Sequence, residues 1–222
     1  MYLAIFYKEW IKLRSASLVL LIISVLFIVQ IWLTASYNMR INGGEIYWYY
    51  VIYRNDLFYN SLFFLPLIIG AVVVTVQFTP EMSADRLKLT LHLPASDTFI
   101  LLSTVSVGTI FICILYFVIL AGLFLVIMMY FPIQIFISAL LTILPKLLAG
   151  LALYWAGAMI FIESNWVKRI LLTVASLIFI QALYISNFIE AYTRMLPGIF
   201  VISLVFSISV LISGHRYRRG AR

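Results

Sequence analysis

The chain has 222 residues, of which 65% are hydrophobic and 10% are charged, and its formal net charge is +7. A soluble domain carries about 25% charged residues, so the composition excludes a soluble fold and indicates a polytopic membrane protein. Most of the basic residues stand between apolar stretches, where they set topology and meet anionic lipid headgroups. The positive charge therefore does not indicate a nucleic-acid-binding protein.

Six apolar stretches are long enough to cross a membrane as helices. A span needs about 20 apolar residues, and the stretches cover residues 18–36, 61–78, 99–131, 133–162, 170–189 and 197–214. The third and fourth stretches are long enough to hide three spans instead of two. We predict an all-α integral membrane protein in which residues 1–222 form one transmembrane domain.

Basic residues decide between six and seven spans. With six spans and a cytoplasmic N-terminus, eleven lysines and arginines face the cytoplasm, and only Arg40, Arg54 and Arg194 face outside. This agrees with the positive-inside rule. A seventh span would move Lys168, Arg169 and the basic C-terminal tail to the other side. We therefore expect a multi-pass protein of the cell membrane with both termini in the cytoplasm.

Residues 1–16 are predicted to form a separate amphipathic helix in the membrane interface, ahead of the first span. At helical spacing an apolar stripe and a charged stripe separate along this segment. The apolar stripe holds Leu3, Phe6, Trp10 and Leu13, and the charged stripe holds Lys8, Glu9 and Lys12. The alternative is a basic flank to the first span.

Two segments are expected at the outer face. Residues 37–60 are dense in tyrosine and resemble an aromatic belt, with a substrate-facing lid as the alternative. Residues 186–198 (SNFIEAYTRMLPG) place Glu190 and Arg194 four apart, which predicts a short helix before the last span.

Lys146 is the one charge well inside an apolar stretch, and Pro145 precedes it. Intramembrane charges are costly and mark functional sites by default. Three interpretations stay open: a lysine on a translocation path, a partner to a carbonyl freed by the Pro145 kink, or a side chain that snorkels to the interface. Just downstream, small residues at helical spacing predict close helix packing. They are Ala149, Gly150, Ala152, Ala156 and Gly157.

Motifs of several enzyme classes are absent from the sequence. The chain has no G-x-x-x-x-G-K-[ST] phosphate loop, H-E-x-x-H, C-x-x-C or G-x-S-x-G. His92 and His215 lie on different predicted cytoplasmic segments, and Cys113 is a single cysteine. We therefore expect no catalytic, cofactor or metal residues in this chain.

The segment between spans two and three, residues 79–97, contains the alternating stretch LKLTLHLP. A lone strand there would have no partner for its backbone groups, whereas a helix satisfies its own. As a helix it has two apolar faces, one with Leu87 and Leu91 and the other with Leu89 and Leu93. One face can pack on the membrane helices, and the other requires a second protein.

This segment resembles a motif of ABC type-2 exporter permeases, which reads approximately E-R-E-x-G-T-L-E-L-L-L-S-L-P-V-S after the second span. The chain has EMSADRLKLTLHLPAS, with Glu81 and Pro94 thirteen residues apart. Asp85 and Arg86 stand where the motif has glycine and threonine, and Ser83 replaces its second glutamate. The N-terminal FYKEWIKLRS is similar to the elbow helix of that family, and the six-span layout matches its fold.

The resemblance implies that residues 79–97 hold a coupling helix that docks on a separate cytoplasmic ATPase. The implied docking residues are Glu81, Arg86, Leu87, Leu91, Leu93 and Pro94. It also implies two ATPase copies and a second permease, identical or related. ATP and Mg²⁺ would bind the ATPase, so that this chain itself needs no cofactor.

The leading hypothesis is thus the permease subunit of an ATP-driven exporter. The apolar, aromatic-rich interior favours a hydrophobic or amphipathic substrate, such as a peptide, a lipid-like molecule or a drug. The alternative is a non-transporting membrane anchor or sensor that recruits a cytoplasmic partner, and a lipid-acting membrane enzyme is disfavoured by the missing acidic cluster.

Overall fold

A computed structural model describes residues 2–82 and 96–218, with the backbone alone at residues 97 and 215–218. Every regular element in this part of the chain is a helix. The helices are α1 (Tyr2–Asn42), α2 (Gly44–Tyr53), α3 (Leu65–Met82), α4 (Asp97–Tyr130), α5 (Ile133–Ile162), α6 (Trp166–Tyr184) and α7 (Leu196–Arg218), with 3₁₀ turns at Asn60–Phe63 and Thr193–Met195.

Six helices within the described ranges are long and apolar enough to cross a membrane, and α2 is the exception. This confirms the predicted all-α class and the six spans. The two long stretches of the sequence form two helices, α4 and α5, separated at Phe131 and Pro132. The third hidden span that their length allowed is not formed.

The first helix is longer than predicted. It runs unbroken for 41 residues, which corresponds to about 60 Å at 1.5 Å per residue. The separate elbow helix over residues 1–16 is therefore not seen as an element of its own, because the chain has no glycine or proline before Gly43 that would end a helix. The break comes at Gly43, whose φ of 77° lies in the left-handed region that glycine adopts freely.

The spans alternate in direction and create two ends of the bundle. One end, here called the charged end, holds Lys8, Glu9, Lys12, Glu81 and Glu163. The other, the aromatic end, holds α2, the 3₁₀ turn before α3, and the linker between α6 and α7. At the charged end Ser213 of α7 donates to Glu163 across 3.0 Å, and at the aromatic end Trp48 of α2 donates to the Tyr130 carbonyl across 3.1 Å.

Aromatic side chains pack closely at the aromatic end. Phe131, between α4 and α5, contacts the rings of Tyr47, Trp48 and Phe58 at centroid distances of 5.3–6.0 Å. The tyrosine-rich segment predicted as an aromatic belt therefore folds back as the short helix α2 over the top of α4. Trp48 and Tyr49 keep exposed surface, as expected for rings at a membrane interface.

The last two spans differ from the predicted boundaries. Helix α6 begins at Trp166, four residues early, because the Asn165 side chain caps it by accepting from the Val167 and Lys168 amides. The helix ends at Tyr184, five residues before the predicted end. The prediction of a short helix containing Glu190 and Arg194 is wrong. Glu190 has a φ of 58°, which interrupts a right-handed helix, and only the 3₁₀ turn Thr193–Met195 forms there.

Helices α3 and α5 approach each other closely at two glycines. A Cβ added to Gly70 would lie 2.3 Å from the Gly150 carbonyl oxygen, and one added to Gly150 would lie 2.4 Å from the Pro66 carbonyl oxygen. Ala149, Ala152 and Ala156 on the same helix are buried. The small residues of α5 therefore serve helix packing inside one protomer, as predicted.

We expect Gly150→Ala to reduce the thermal stability of the detergent-solubilised protein, because its methyl group would collide with backbone atoms that cannot give way. Overpacking of this kind costs about 1–3 kcal/mol. Gly198→Ala is the matched control, since a Cβ at Gly198 meets nothing within 4 Å. Equal melting temperatures for the two variants would contradict the close approach of α3 and α5.

Candidate functional site

Four charged side chains meet at the charged end, and we call them the ion cluster: Lys8, Glu9 and Lys12 of α1 with Glu81 of α3. The Lys12 ammonium lies 2.8 Å from a carboxylate oxygen of Glu9 and also binds Glu81 directly. The Lys8 ammonium reaches the same Glu81 oxygen across 2.9 Å. Glu81 is thus held by two lysines of α1, 69 to 73 positions away in sequence.

Burial makes these contacts costly to break. Glu9 is 1% exposed and Glu81 is 2% exposed, whereas the Lys8 side chain keeps 40% of its surface in contact with solvent. Two positive and two negative charges balance inside the cluster. A buried carboxylate left without its cation destabilises a fold strongly, so the cluster constrains α1 and the C-terminal end of α3 to stay together.

Helical spacing explains how α1 presents this cluster. Lys8 and Lys12 are four apart, and Glu9 and Lys12 are three apart, so that all three lie on one side of the helix. That side faces the bundle: Ile5, Glu9 and Leu13 are buried, while Leu3 is 79% exposed. The charged stripe of this helix therefore faces the bundle at Glu9, where Lys12 joins Glu9 to Glu81 of α3.

The predicted coupling segment, residues 79–97, lies partly outside the residues that the structure describes. Of the six implied docking residues, Glu81 is described, and Arg86, Leu87, Leu91, Leu93 and Pro94 lie outside the described residues. Glu81 sits at the penultimate position of α3, where the segment begins. Its carboxylate is directed to Lys8 and Lys12 of its own chain. The docking role of the six residues stays a prediction.

Lys146 lies at the aromatic end, where its side chain is enclosed. The residue is 1% exposed, and its ammonium donates to the carbonyl oxygens of Leu183 at 2.7 Å and Ser186 at 3.1 Å. These carbonyls lie at the end of α6 and just after it, and not on the turn of α5 that Pro145 interrupts. Of the three interpretations, the one that pairs Lys146 with a carbonyl freed by Pro145 is therefore wrong. A role on a translocation path stays a prediction.

Sequence inspection missed a buried polar contact between α3, α4 and α5. The Gln77 amide donates to the Thr104 carbonyl at 2.8 Å, and the Tyr154 hydroxyl donates to the Gln77 carbonyl oxygen at 2.8 Å. All three residues are buried. Gln77, one turn before Glu81, was the available signal, because a glutamine inside an apolar span requires partners.

Among the residues that the structure describes, no three His, Cys, Asp or Glu side chains stand close enough to hold a metal ion. The charged groups of the ion cluster are directed to one another, and no nucleophile and base are paired there. The arrangement can join helices and transmit displacement.

Comparison with known proteins identifies one family. A family model described as "ABC-2 family transporter protein" matches residues 5–185. The matched range includes the ion cluster, the coupling segment and Lys146, and it ends at the start of the linker before α7. No curated protein and no solved structure matches the chain.

We expect Glu81→Gln to lower the unfolding free energy by about 3–5 kcal/mol, because it removes one carboxylate of the cluster and leaves Lys8 and Lys12 with Glu9 alone. Thermal melting in detergent measures the loss. Adding Lys8→Met should recover part of it, since the double variant keeps the Lys12–Glu9 pair and restores equal numbers of positive and negative charges in the cluster. Glu45→Gln, at an exposed position of α2, is the control. A Glu81→Gln protein as stable as this control would refute the structural importance of the cluster.

Proposed function

The chain belongs to the ABC-2 transporter family, and on this basis we propose that it is the permease subunit of an ATP-driven exporter. Six helices in the described part of the chain are capable of spanning a membrane, which fits a subunit that provides a path across it. The ATPase would be a separate chain, in agreement with the absence of a phosphate-loop motif from the sequence.

The observation that carries the proposal is the position of the ion cluster. The segment that resembles a coupling helix follows α3, and Glu81 joins the end of α3 to Lys8 and Lys12 of α1. A displacement of the segment by a docked ATPase would therefore act on two spans at once. Gln77, one turn before Glu81 on α3, extends the connection to α4 and α5.

The docking element that we propose contains Glu81, Arg86, Leu87, Leu91, Leu93 and Pro94, with Leu93 on the face that packs on the membrane helices. Leu87 and Leu91 would enter the ATPase, and Glu81 would anchor the start of the segment through its lysine partners. ATP and Mg²⁺ would bind the ATPase. Two ATPase copies and a second permease, identical or related, would complete the transporter.

We propose a hydrophobic or amphipathic substrate, such as a peptide, a lipid-like molecule or a drug. The apolar composition of the spans supports this class, since their mean hydropathies lie between 1.6 and 3.2. Lys146 also supports it, because its ammonium is directed to carbonyls of its own chain and presents little charge to a cargo.

The proposed location is the cell membrane, with both termini in the cytoplasm. We expect cysteines introduced at Asn42 and Asn187, in a Cys113→Ser background, to react with an impermeant maleimide added to intact cells. A cysteine at Ser96, at the charged end, should react only after permeabilisation. All three positions are exposed. Labelling of Ser96→Cys in intact cells would refute this orientation.

Docking is tested by paired leucine substitutions. Fully burying a leucine stabilises by about 1.5–3 kcal/mol, so Leu87→Asp with Leu91→Asp should release the ATPase while the permease remains in the membrane. Leu89→Asp with Leu93→Asp should instead lower the permease level. Copurification from detergent, with the permease quantified in parallel, measures both.

Two outcomes would count against the proposal. Retention of the ATPase by both leucine pairs would show that residues 79–97 are not the coupling element. An ATPase that copurifies but hydrolyses ATP at the same rate with every candidate substrate would favour the non-transporting anchor or sensor.

A further inference from the structure

The ammonium of Lys146 has no carboxylate partner in the part of the chain that the structure describes. Its neighbours are two carbonyl oxygens and three aromatic rings. The rings belong to Tyr184, Phe63 and Tyr192, with centroids 4.4, 5.5 and 5.7 Å from the ammonium. Ring faces attract a cation, so the carbonyls and rings here take the place of a counter-ion.

The two carbonyls identify what the lysine does locally. Leu183 lies in the last turn of α6, and Ser186 follows two residues after its end. The last carbonyls of a helix have no intrahelical donor, and the helix dipole places partial negative charge there. Lys146 therefore caps the C-terminus of α6 from the neighbouring helix α5.

The cap fixes the depth of Lys146 in the bundle. Helix α6 has 19 residues, or about 28 Å, close to the thickness of the hydrocarbon core. Because Lys146 binds the end of α6, it lies near the boundary of that core and not at its centre. The N-terminal part of α5, from Ile133, extends beyond it.

The linker between α6 and α7 packs along this extension. Thr142, one turn before Lys146 on α5, accepts the Glu190 amide at 3.1 Å. Within the linker, the Tyr192 hydroxyl accepts the Ser186 amide at 3.1 Å and donates to the Ala182 carbonyl at 2.8 Å. The linker is thus fastened to α5 at two points one helical turn apart.

We propose that Lys146 is a positioning residue whose charge fastens the α6–α7 linker, residues 185–195, to α5, so that linker and helix move as one body. Neutral replacements remove the attraction to the α6 terminus and to the rings, and the linker then separates from α5 more often. The inference concerns the aromatic end and does not depend on ATPase docking at the other end.

The test measures how often the linker opens. A cysteine at Ile189, which is partly buried, reports opening through its rate of maleimide labelling in purified full-length protein with Cys113→Ser. A cysteine at Phe188, which is 80% exposed, serves as the control and should label equally in every variant. Hydrogen bonds from a charged donor are among the stronger ones, so Lys146→Met should speed labelling of Ile189→Cys by at least about tenfold.

Lys146→Arg keeps the charge and should label at the parental rate. Should Lys146→Met not accumulate in membranes, Lys146→Gln replaces it, with the same acceleration expected. Unchanged labelling in the neutral variants would overturn the proposal, as would an arginine variant that labels as fast as the methionine variant. Unchanged labelling with altered substrate-dependent ATP hydrolysis would instead assign Lys146 to the translocation path.

Discussion

Charge in apolar surroundings is the constraint on which this structure depends. A charged side chain in a membrane bundle needs partners within the protein, because lipid offers none. The chain meets this need differently at its two ends. At the charged end carboxylates and ammonium groups neutralise one another, and at the aromatic end Lys146 uses the end of a helix and aromatic rings. The first solution joins α1 to α3, and the second joins α5 to α6.

Helix α3 links these features to the proposed function. Its glycine face lies directly against α5, Gln77 binds the Thr104 carbonyl of α4 and the Tyr154 hydroxyl of α5, and Glu81 binds α1. The segment that resembles a coupling helix begins where α3 ends. A rigid helix with partners on three sides would pass a displacement of its end to the rest of the bundle, as ATP-driven transport through a separate ATPase requires.

Much of the fold could be predicted because apolar length and basic flanks are local signals. The six spans and the small-residue face of α5 depend on such signals, and both were confirmed. The ion cluster could not be predicted, since it depends on Glu81, some 70 positions from Lys8 and Lys12 in sequence. The contacts of Lys146 could not be predicted either, because its acceptors are the backbone carbonyls of Leu183 and Ser186, which no sequence pattern marks. The early end of α6, where Lys146 binds the Leu183 carbonyl, and the left-handed backbone conformation of Glu190, whose amide binds Thr142, likewise accompany tertiary contacts.

Because the ion cluster joins them, we expect the N-terminal part of α1 and the C-terminal end of α3 to move as one body. Spin labels at Arg14 and Thr79, both exposed, report the distance between these helices when measured by pulsed electron–electron double resonance. In the complex with its ATPase, we expect the same distance distribution without nucleotide and with the ATPase trapped in its ATP-bound state. A second pair, at Arg14 and Asn187, should shift between the two states and so show that the transporter has responded. A shift of several ångströms in the first pair would contradict the account.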